Sequence, residues 1–219
     1  MGDRRYLFAA IFLSLFAATA CYGQPPERPA TAPPQGLSAI RTPPGHPFTV
    51  DEKRAIVAAI LAHPEVAPVI AGHNVQALRV FSEDLEKAAP PGTAPARRIA
   101  TAVLFDYTSG RAHQVRIDTT TGALVAFEPL SGRPPASPDE IARATRVIQA
   151  DAGLTGLLQA GGVLEGGFIV DPPAGVSAPP GAAPHRFIEF QILSRDRTRL
   201  QRRVYVDLTA NIIAASQTP

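Results

Sequence analysis

The chain contains an internal duplication, and no other feature of the sequence limits the fold as strongly. The proline-rich string at residues 89–95 matches the string at 178–184, an offset of 89 residues. The match continues without a gap into the following pairs: Arg97 with Arg186, Ile99 with Ile188, Leu104 with Leu193, Val115 with Val204, and Asp118 with Asp207. A repeated pattern of apolar and polar positions predicts two similar units, over residues 46–130 and 131–219.

Each unit begins with a helix-start signal. Thr49 followed by Glu52, and Ser137 followed by Glu140, both fit a capping box. In a capping box the hydroxyl accepts from the third amide while the glutamate reaches back to the cap. Apolar residues then recur at helical spacing, and Pro64 ends the first helix. The sequence therefore predicts one amphipathic helix at the start of each unit.

Alternating residues after each helix predict strands. In the second copy Ile188, Phe190 and Ile192 alternate with polar residues, which indicates a sheet with one solvent-facing side. The predicted strands cover residues 75–81, 99–105, 115–117 and 123–127, and residues 163–170, 188–192, 204–206 and 212–216. Gly122 and Asn211 stand at equivalent turn positions. We therefore predict an α+β fold class, a tandem duplication in which one helix packs on an antiparallel sheet of about four strands.

The first twenty residues have the pattern of an export signal. Two arginines precede an uncharged apolar run over residues 6–18, which is long enough for a signal-peptide core and too short for a transmembrane helix. The run ends in Ala18-Thr19-Ala20-Cys21, which resembles a bacterial lipobox, where the cysteine becomes lipidated. Cys21 is the only cysteine, so the chain forms no internal disulfide. We expect export and lipid attachment at Cys21, on the outer face of a bacterial membrane. Cleavage after Ala20 that leaves a free thiol is the alternative.

A proline-rich segment follows the signal. Residues 21–45 contain few side chains that can enter a core. Segments of this composition act as semi-rigid spacers that extend about 3 Å per residue. We therefore predict a signal peptide at 1–20, a tether at 21–45, and two folded units at 46–130 and 131–219.

Five arginines crowd the predicted hairpin of the second unit. They are Arg195, Arg197, Arg199, Arg202 and Arg203. Asp196 is the only acid within this stretch, which predicts a local patch that binds anions or an acidic partner; a solvated hairpin is the alternative. The whole chain has a formal net charge of +2, which is too small to predict nucleic acid as a partner.

No convergent group of reactive side chains stands out. The spacing of His63, His73 and His113 matches no metal-binding signature. Asp118 and Asp207 precede turns at equivalent positions, so we interpret them as turn caps rather than catalytic acids. We therefore expect no catalytic residue, no metal and no cofactor.

Four segments carry a family resemblance. They are residues 46–52 leading into the first helix, 98–104 and 115–118 in strands, and 134–140 opening the second helix. The order of helix, strand, long loop and three hairpin-linked strands resembles the cystatin-like N-terminal domains, the second and third, of copper amine oxidases. Those enzymes carry two such domains in tandem before the catalytic domain.

The resemblance does not extend to the chemistry of that family. Its quinone cofactor forms from a tyrosine in an Asn-Tyr-[Asp/Glu]-Tyr motif, and its copper is held by a His-x-His pair with a distant histidine. None of the four tyrosines here follows an asparagine, and no two of the five histidines are two residues apart. We therefore expect that this chain is not an enzyme.

These features predict a non-catalytic binding or scaffolding module at the bacterial cell envelope. Its expected partners are the membrane, through lipidated Cys21, and another exported protein. Two alternatives stay open. The chain is an accessory subunit or remnant of a copper amine oxidase that acts through a separate catalytic chain, or it binds a small ligand or a peptide.

Overall fold

The computed structural model describes residues 37–42, 46–83, 98–176 and 182–219. All of them belong to one compact unit, Thr31–Pro219. The expected signal peptide, Cys21 and most of the expected tether lie outside the described residues.

The first half has two helices followed by a four-stranded antiparallel sheet, sheet 1. A short 3-10 helix, Leu37–Ala39, precedes α1 (Val50–Leu61) and α2 (Ala67–Ile70). The strands of sheet 1 are β1 (Val75–Glu83), β2 (Ile99–Asp106), β3 (Arg111–Asp118) and β4 (Leu124–Pro129). Strands that follow each other in the chain are neighbours in the sheet, so β1 and β4 form its two edges.

The second half follows the same element order. Its helices are α3 (Pro138–Ala150) and α4 (Ala152–Gln159). Sheet 2 contains β5 (Val163–Val170), β6 (Phe187–Leu193), β7 (Leu200–Asp207) and β8 (Ile212–Gln217), again antiparallel and in chain order. No helix among the described residues is long and apolar enough to cross a membrane.

The predicted fold class is wrong. We expected α+β, a tandem pair of cystatin-like units with one helix on each sheet, whereas the described residues are 38% strand and 24% helical and form a mostly-β fold. The helices are small because their sequences break them early. Pro64 follows α1 closely and Pro68 lies in a four-residue α2, while Asp151 caps α4 and so separates it from α3.

The local signals that start each helix are confirmed. Thr49 and Glu52 form a complete capping box at α1, and Ser137 and Glu140 form one at α3. The helices therefore begin where the hydroxyl and the glutamate satisfy otherwise unpaired amides of the first turn.

The turn interpretations are confirmed as well. Gly122 and Asn211 both have positive φ, 75° and 59°. A carboxylate oxygen of Asp118 accepts from the amide of Thr120, and one of Asp207 accepts from the amide of Thr209. Both aspartates therefore cap the turn that follows their strand.

In the described part of the chain, two apolar clusters form the core. One lies between α1 and sheet 1, where Ile56 and Ile60 of the helix meet Ala102 and Leu104 of β2. The other joins the two halves, because Phe105 of β2 packs in the same cluster as the inward residues of α3 and sheet 2. Strand β2 is consequently buried along nearly its whole length, whereas β6 keeps half-buried positions on alternate residues.

The structure changes the alignment of the two copies. Arg98, not Arg97, is the counterpart of Arg186, because its carbonyl accepts from Thr119 as the carbonyl of Arg186 accepts from Leu208. The offset is therefore 88 residues through β2 and becomes 89 only beyond the hairpin. The extra residue is Gln201, which has no partner in the β6–β7 register and forms a bulge in β7, whereas the turn before it has the same length in both copies.

Candidate functional site

A groove of about 1420 Å³ lies beside β1. Its walls are one flank of α1, six consecutive residues of β1 (Ala77–Ser82), and the segment Pro134–Asp139 that leads into α3. We call this feature the edge groove. Val103 and Leu130 add apolar surface to it, so apolar area predominates in the lining.

The edge groove follows the free side of β1. Side chains of a strand alternate between the two faces of a sheet, so a cavity that touches six consecutive residues runs along the edge rather than over one face. Among the described strands, β1 pairs only with β2. The outer side of β1 makes no backbone hydrogen bond with any described residue. An edge strand of this kind presents unpaired amide and carbonyl groups to an incoming chain.

A buried arginine positions the α1 side of the edge groove. Nη2 of Arg98 donates to the carbonyl of His46 at 3.3 Å, and its guanidinium lies 4.2 Å from the ring centroid of Phe48. Phe48 is 3% exposed and packs in the core cluster beneath α1. Arg98, the residue directly before β2, thus holds in place the segment that leads into α1.

The capping glutamate of α1 also holds the preceding chain. Glu52 accepts from the amides of Arg41 and Thr42, both at 2.7 Å, and from the Thr42 hydroxyl. Burial raises the pKa of Glu52, but the hydrogen bonds from Thr42, Thr49 and Arg41 lower it more. The pKa of this carboxyl therefore lies well below its ordinary value, and the charged form fixes α1 in place.

The opposite wall is held by an equivalent arginine in the second half. Nη2 of Arg186 donates to the carbonyls of Pro134 and Pro135, at 3.0 and 3.2 Å. Its Nε lies 2.6 Å from Oε1 of Glu140, whose side chain is fully buried. The segment before α3 is therefore fastened to β6 through one guanidinium.

A tyrosine from the first half completes this network. The Tyr107 hydroxyl donates to Glu140 at 2.5 Å and accepts from Nη2 of Arg143 at 2.9 Å. Burial raises the pKa of Tyr107, and the hydrogen bond to Glu140 adds to the effect. Because Tyr107 follows β2 while Glu140 and Arg143 lie in α3, these bonds fix the two walls of the edge groove relative to each other.

The rim of the edge groove is basic. Lys53, Arg54 and Arg79 line it, and Asp139 is the acid among its lining residues. Arg54 is paired with Asp51 at 2.9 Å, whereas no described residue pairs with the ammonium group of Lys53. The guanidinium of Arg79 lies 5.2 Å from the ring centroid of Phe81. The groove therefore suits a ligand that combines apolar groups with negative charge.

The second half carries an apolar side chain at the helix position equivalent to Lys53. Ile141 stands in α3 where Lys53 stands in α1, and it faces a bulge of β5 at Gly166 and Gly167. A Cβ on Gly167 would lie 3.3 Å from the Ile141 side chain. The two copies therefore differ at this helix position, which is a lysine in the lining of the edge groove in the first half and an isoleucine against the strand bulge in the second.

The predicted arginine patch is better paired than the sequence indicates. Nε of Arg197 lies 3.3 Å from Glu165, and Nε of Arg203 lies 3.8 Å from Glu189. Asp196, expected to be the counter-charge, instead accepts from Ser194 within the turn.

The remaining arginines of the patch differ in their contacts. Arg202 donates to the Thr218 hydroxyl at 3.0 Å. Arg195 and Arg199 are exposed and pair with no acid in the described part of the chain. Anion binding by this hairpin stays a prediction.

Two histidine–aspartate pairs were not predicted. Nδ1 of His73 lies 2.7 Å from Asp106, and Nδ1 of His185 lies 2.5 Å from Asp207. Each aspartate also caps a turn with its other oxygen. An aspartate at the end of a strand was the available signal, but the histidines come from distant parts of the sequence. Within the described ranges no group of three or more histidine, cysteine or acidic residues is arranged to hold a metal ion.

Comparison with known proteins gives a distant structural likeness. No protein-family model matches the chain, and no curated protein matches it. Among solved structures the chain is similar to a copper-containing benzylamine oxidase from Hansenula polymorpha, with 8% sequence identity and a TM-score of 0.48. The match covers 81% of this chain and 30% of the enzyme chain, so this protein spans less than a third of that enzyme. A likeness this distant carries neither a family nor an activity to this chain.

Proposed function

We propose that the protein is an exported, non-catalytic binding module of the bacterial cell envelope, whose edge groove takes a segment of another exported protein. Lipid attachment at Cys21 and the proline-rich tether would hold the module at the outer face of the membrane. The observation that carries the proposal is the open groove along the free edge of β1.

The dimensions of the groove favour a polypeptide over a small molecule. Six strand residues span about 20 Å at roughly 3.3 Å per residue. Pockets for small ligands are mostly enclosed clefts of about 300–1,000 Å³. A longer, open groove along a free strand edge is typical of sites that receive an extended segment of another protein.

Photocrosslinking in the native envelope tests the proposal. A photoreactive amino acid replaces Val57, which lines the edge groove, in the full chain. The matched control carries the same group at Ile212, which is 55% exposed on β8 and outside the groove. We expect a crosslinked product of one defined mass from Val57 and none of that mass from Ile212.

A competition experiment makes the result specific. Excess unlabelled wild-type chain should abolish the Val57 product, because it occupies the partner. A chain with Ala58→Trp, which places an indole in the groove, should compete at least tenfold less well. Equal products from both positions, or equal competition by the two chains, would contradict a binding site in the edge groove.

A further inference from the structure

We propose that the occupant of the edge groove is an extended acidic segment, which adds to sheet 1 as a fifth strand beside β1 and pairs a carboxylate with Lys53. This inference deepens the proposed function and rests on it. It specifies how the segment binds and that the segment carries negative charge.

The backbone of β1 supplies the binding mode. β1 is nine residues long, and the groove exposes the stretch Ala77–Ser82 of its free edge. The bulge falls at Leu78, between Ala77 and Arg79 of the β1–β2 register, so regular pairing geometry resumes from Arg79. Amide and carbonyl groups on the outer side of this stretch have no partner among the described backbone atoms. An added strand would satisfy them by main-chain hydrogen bonds, which are largely independent of the sequence of the ligand.

The walls of the groove supply the apolar contacts. Val57 and Leu61 of α1 overhang one side of the strand edge, and Val103 with Leu130 lies on the other. Side chains of an added strand would alternate between these two surfaces, because successive residues of a strand point to opposite faces. The occupant is therefore expected to carry apolar residues as well as charge.

Cationic side chains at the rim of the edge groove indicate that the occupant is negatively charged. Lys53 is a half-buried residue whose ammonium has no acidic partner among the described residues, and Arg79 adds a second cation. The acids near the groove in the described part of the chain do not neutralise them. Glu83 of β1 is paired with Arg116 at 2.8 Å, and Asp139 is an exposed residue of the opposite wall. A carboxylate on the occupant would complement this excess of positive charge.

The same charges disfavour a second copy of this chain as the occupant. Pairing β1 with β1 of another molecule would bring Arg79 and Lys53 near their own counterparts. Like charges placed opposite one another across paired strands are destabilising. The bulge at Leu78 would also interrupt a continuous flat pairing of two identical edges. An acidic segment of a different protein avoids the charge repulsion and meets only the one bulge of β1, beyond which the strand is regular from Arg79.

Three capped, fluorescently labelled octapeptides test the inference with the full chain. The first alternates valine and glutamate, the second replaces every glutamate with lysine, and the third is the glutamate peptide with alternate backbone amides methylated. Binding is measured by fluorescence anisotropy. We expect the glutamate peptide to bind and the other two to bind at least tenfold more weakly, because one lacks the charge and the other lacks the donors.

Two variants and one local readout complete the test. Lys53→Gln should weaken binding of the glutamate peptide about fivefold, the scale of a partly exposed ion pair, and leave the lysine peptide unchanged. Arg111→Gln, an exposed charge at the far end of sheet 1, should change neither. On binding, amide hydrogens of β1 should exchange more slowly, while those of β4, the other edge, should not change.

The outcomes separate the inference from the proposed function. Equal binding of the glutamate and lysine peptides would overturn the acidic specificity, and tolerance of backbone methylation would overturn strand addition. Failure of all three peptides to bind would overturn the inference as a whole. In each case a crosslink from Val57 that wild-type chain competes away would still support the proposed function. If that crosslink is absent, both the proposed function and this inference are contradicted.

Discussion

At the scale of single residues, the same device recurs in both halves. An arginine at the start of the second strand of each sheet, Arg98 or Arg186, reaches back to a backbone carbonyl just before a helix. In the second half the arginine also meets a fully buried glutamate, Glu140. A buried charge is tolerated only when it is paired and hydrogen-bonded, so this contact is a specific point of vulnerability.

Replacing Arg186 with methionine should destabilise the protein strongly. The change leaves the Glu140 carboxylate buried without its cation, a loss that typically costs about 3–5 kcal/mol of the free energy of unfolding. Urea denaturation measures it. Arg133→Gln is the matched control, because Arg133 is half-exposed and its ion pair with Asp171 lies at the surface. A loss for Arg186→Met no larger than that of the control would contradict the role of the buried pair.

The buried carboxylate also predicts how stability depends on pH. Burial raises the pKa of Glu140, but the hydrogen bonds from Arg186 and Tyr107 lower it more, so its pKa lies below the ordinary value. As the pH falls below about 4.3, the unfolded chain takes up a proton at this group before the folded chain does. The stabilisation present above that pH is therefore lost progressively on acidification. Denaturation at a series of pH values should show a shallower acid loss for Glu140→Gln, and identical slopes would contradict this account.

At the scale of elements, the two helix–strand contacts have diverged. Lys53 stands above an open strand edge in the first half, whereas Ile141 packs onto the glycine bulge of β5 in the second. The bulge depends on residues without a side chain. Gly167 has a φ of +98°, and a Cβ there would crowd Ile141 at 3.3 Å. The packing of Ile141 against β5 therefore rests on glycine at this position.

Gly167→Ala should lower the free energy of unfolding by about 1–3 kcal/mol, through backbone strain at positive φ and through the contact with Ile141. Gly132→Ala is the matched control, since Gly132 also has positive φ, +85°, but no atom within 4 Å of an added Cβ. Urea denaturation of both variants separates strain from crowding. The crowding part should disappear when Ile141→Ala is added, and an equal loss in all backgrounds would contradict the packing argument.

The sequence predicted the local features of these elements better than the proportions of helix and strand. Alternation located strands such as β6, and the hydroxyl–glutamate spacing of Thr49 and Glu52 located the start of α1, because both signals depend on nearby residues. The fold class was wrong because the share of helix depends on where helices stop and on packing. The edge groove was also missed, since it forms between α1, β1 and a segment more than fifty residues further along the chain.

At the scale of the whole molecule, the edge groove belongs to a chain with an expected membrane anchor. Tyr107, Glu140 and Arg186 fix the two halves against each other, so the groove between their elements is preorganised. Preorganisation lowers the entropy cost of binding an extended segment. A tether between such a site and the membrane would let the module reach partners while staying at the envelope.

The expected lipid anchor is tested by replacing Cys21, the only cysteine of the chain. Cys21→Ser removes the thiol that lipidation requires, so the full chain should move from the membrane fraction to the soluble fraction. Mass spectrometry of the wild-type chain should show a diacylated or triacylated Cys21. An unmodified Cys21 in the wild type, or an unchanged distribution of the variant, would contradict the lipoprotein proposal and leave the edge groove unaffected.

The central claim is that the edge groove is occupied by a partner in the envelope. The most direct measurement is maleimide labelling of Val57→Cys in the native envelope and in the purified full chain, with the parent chain subtracted to account for Cys21. Ile212→Cys, on β8, is the control. The account predicts that Val57→Cys reacts at least fivefold more slowly in the envelope than when purified, while Ile212→Cys reacts equally in both. Equal reactivity of Val57→Cys in the two states would contradict it.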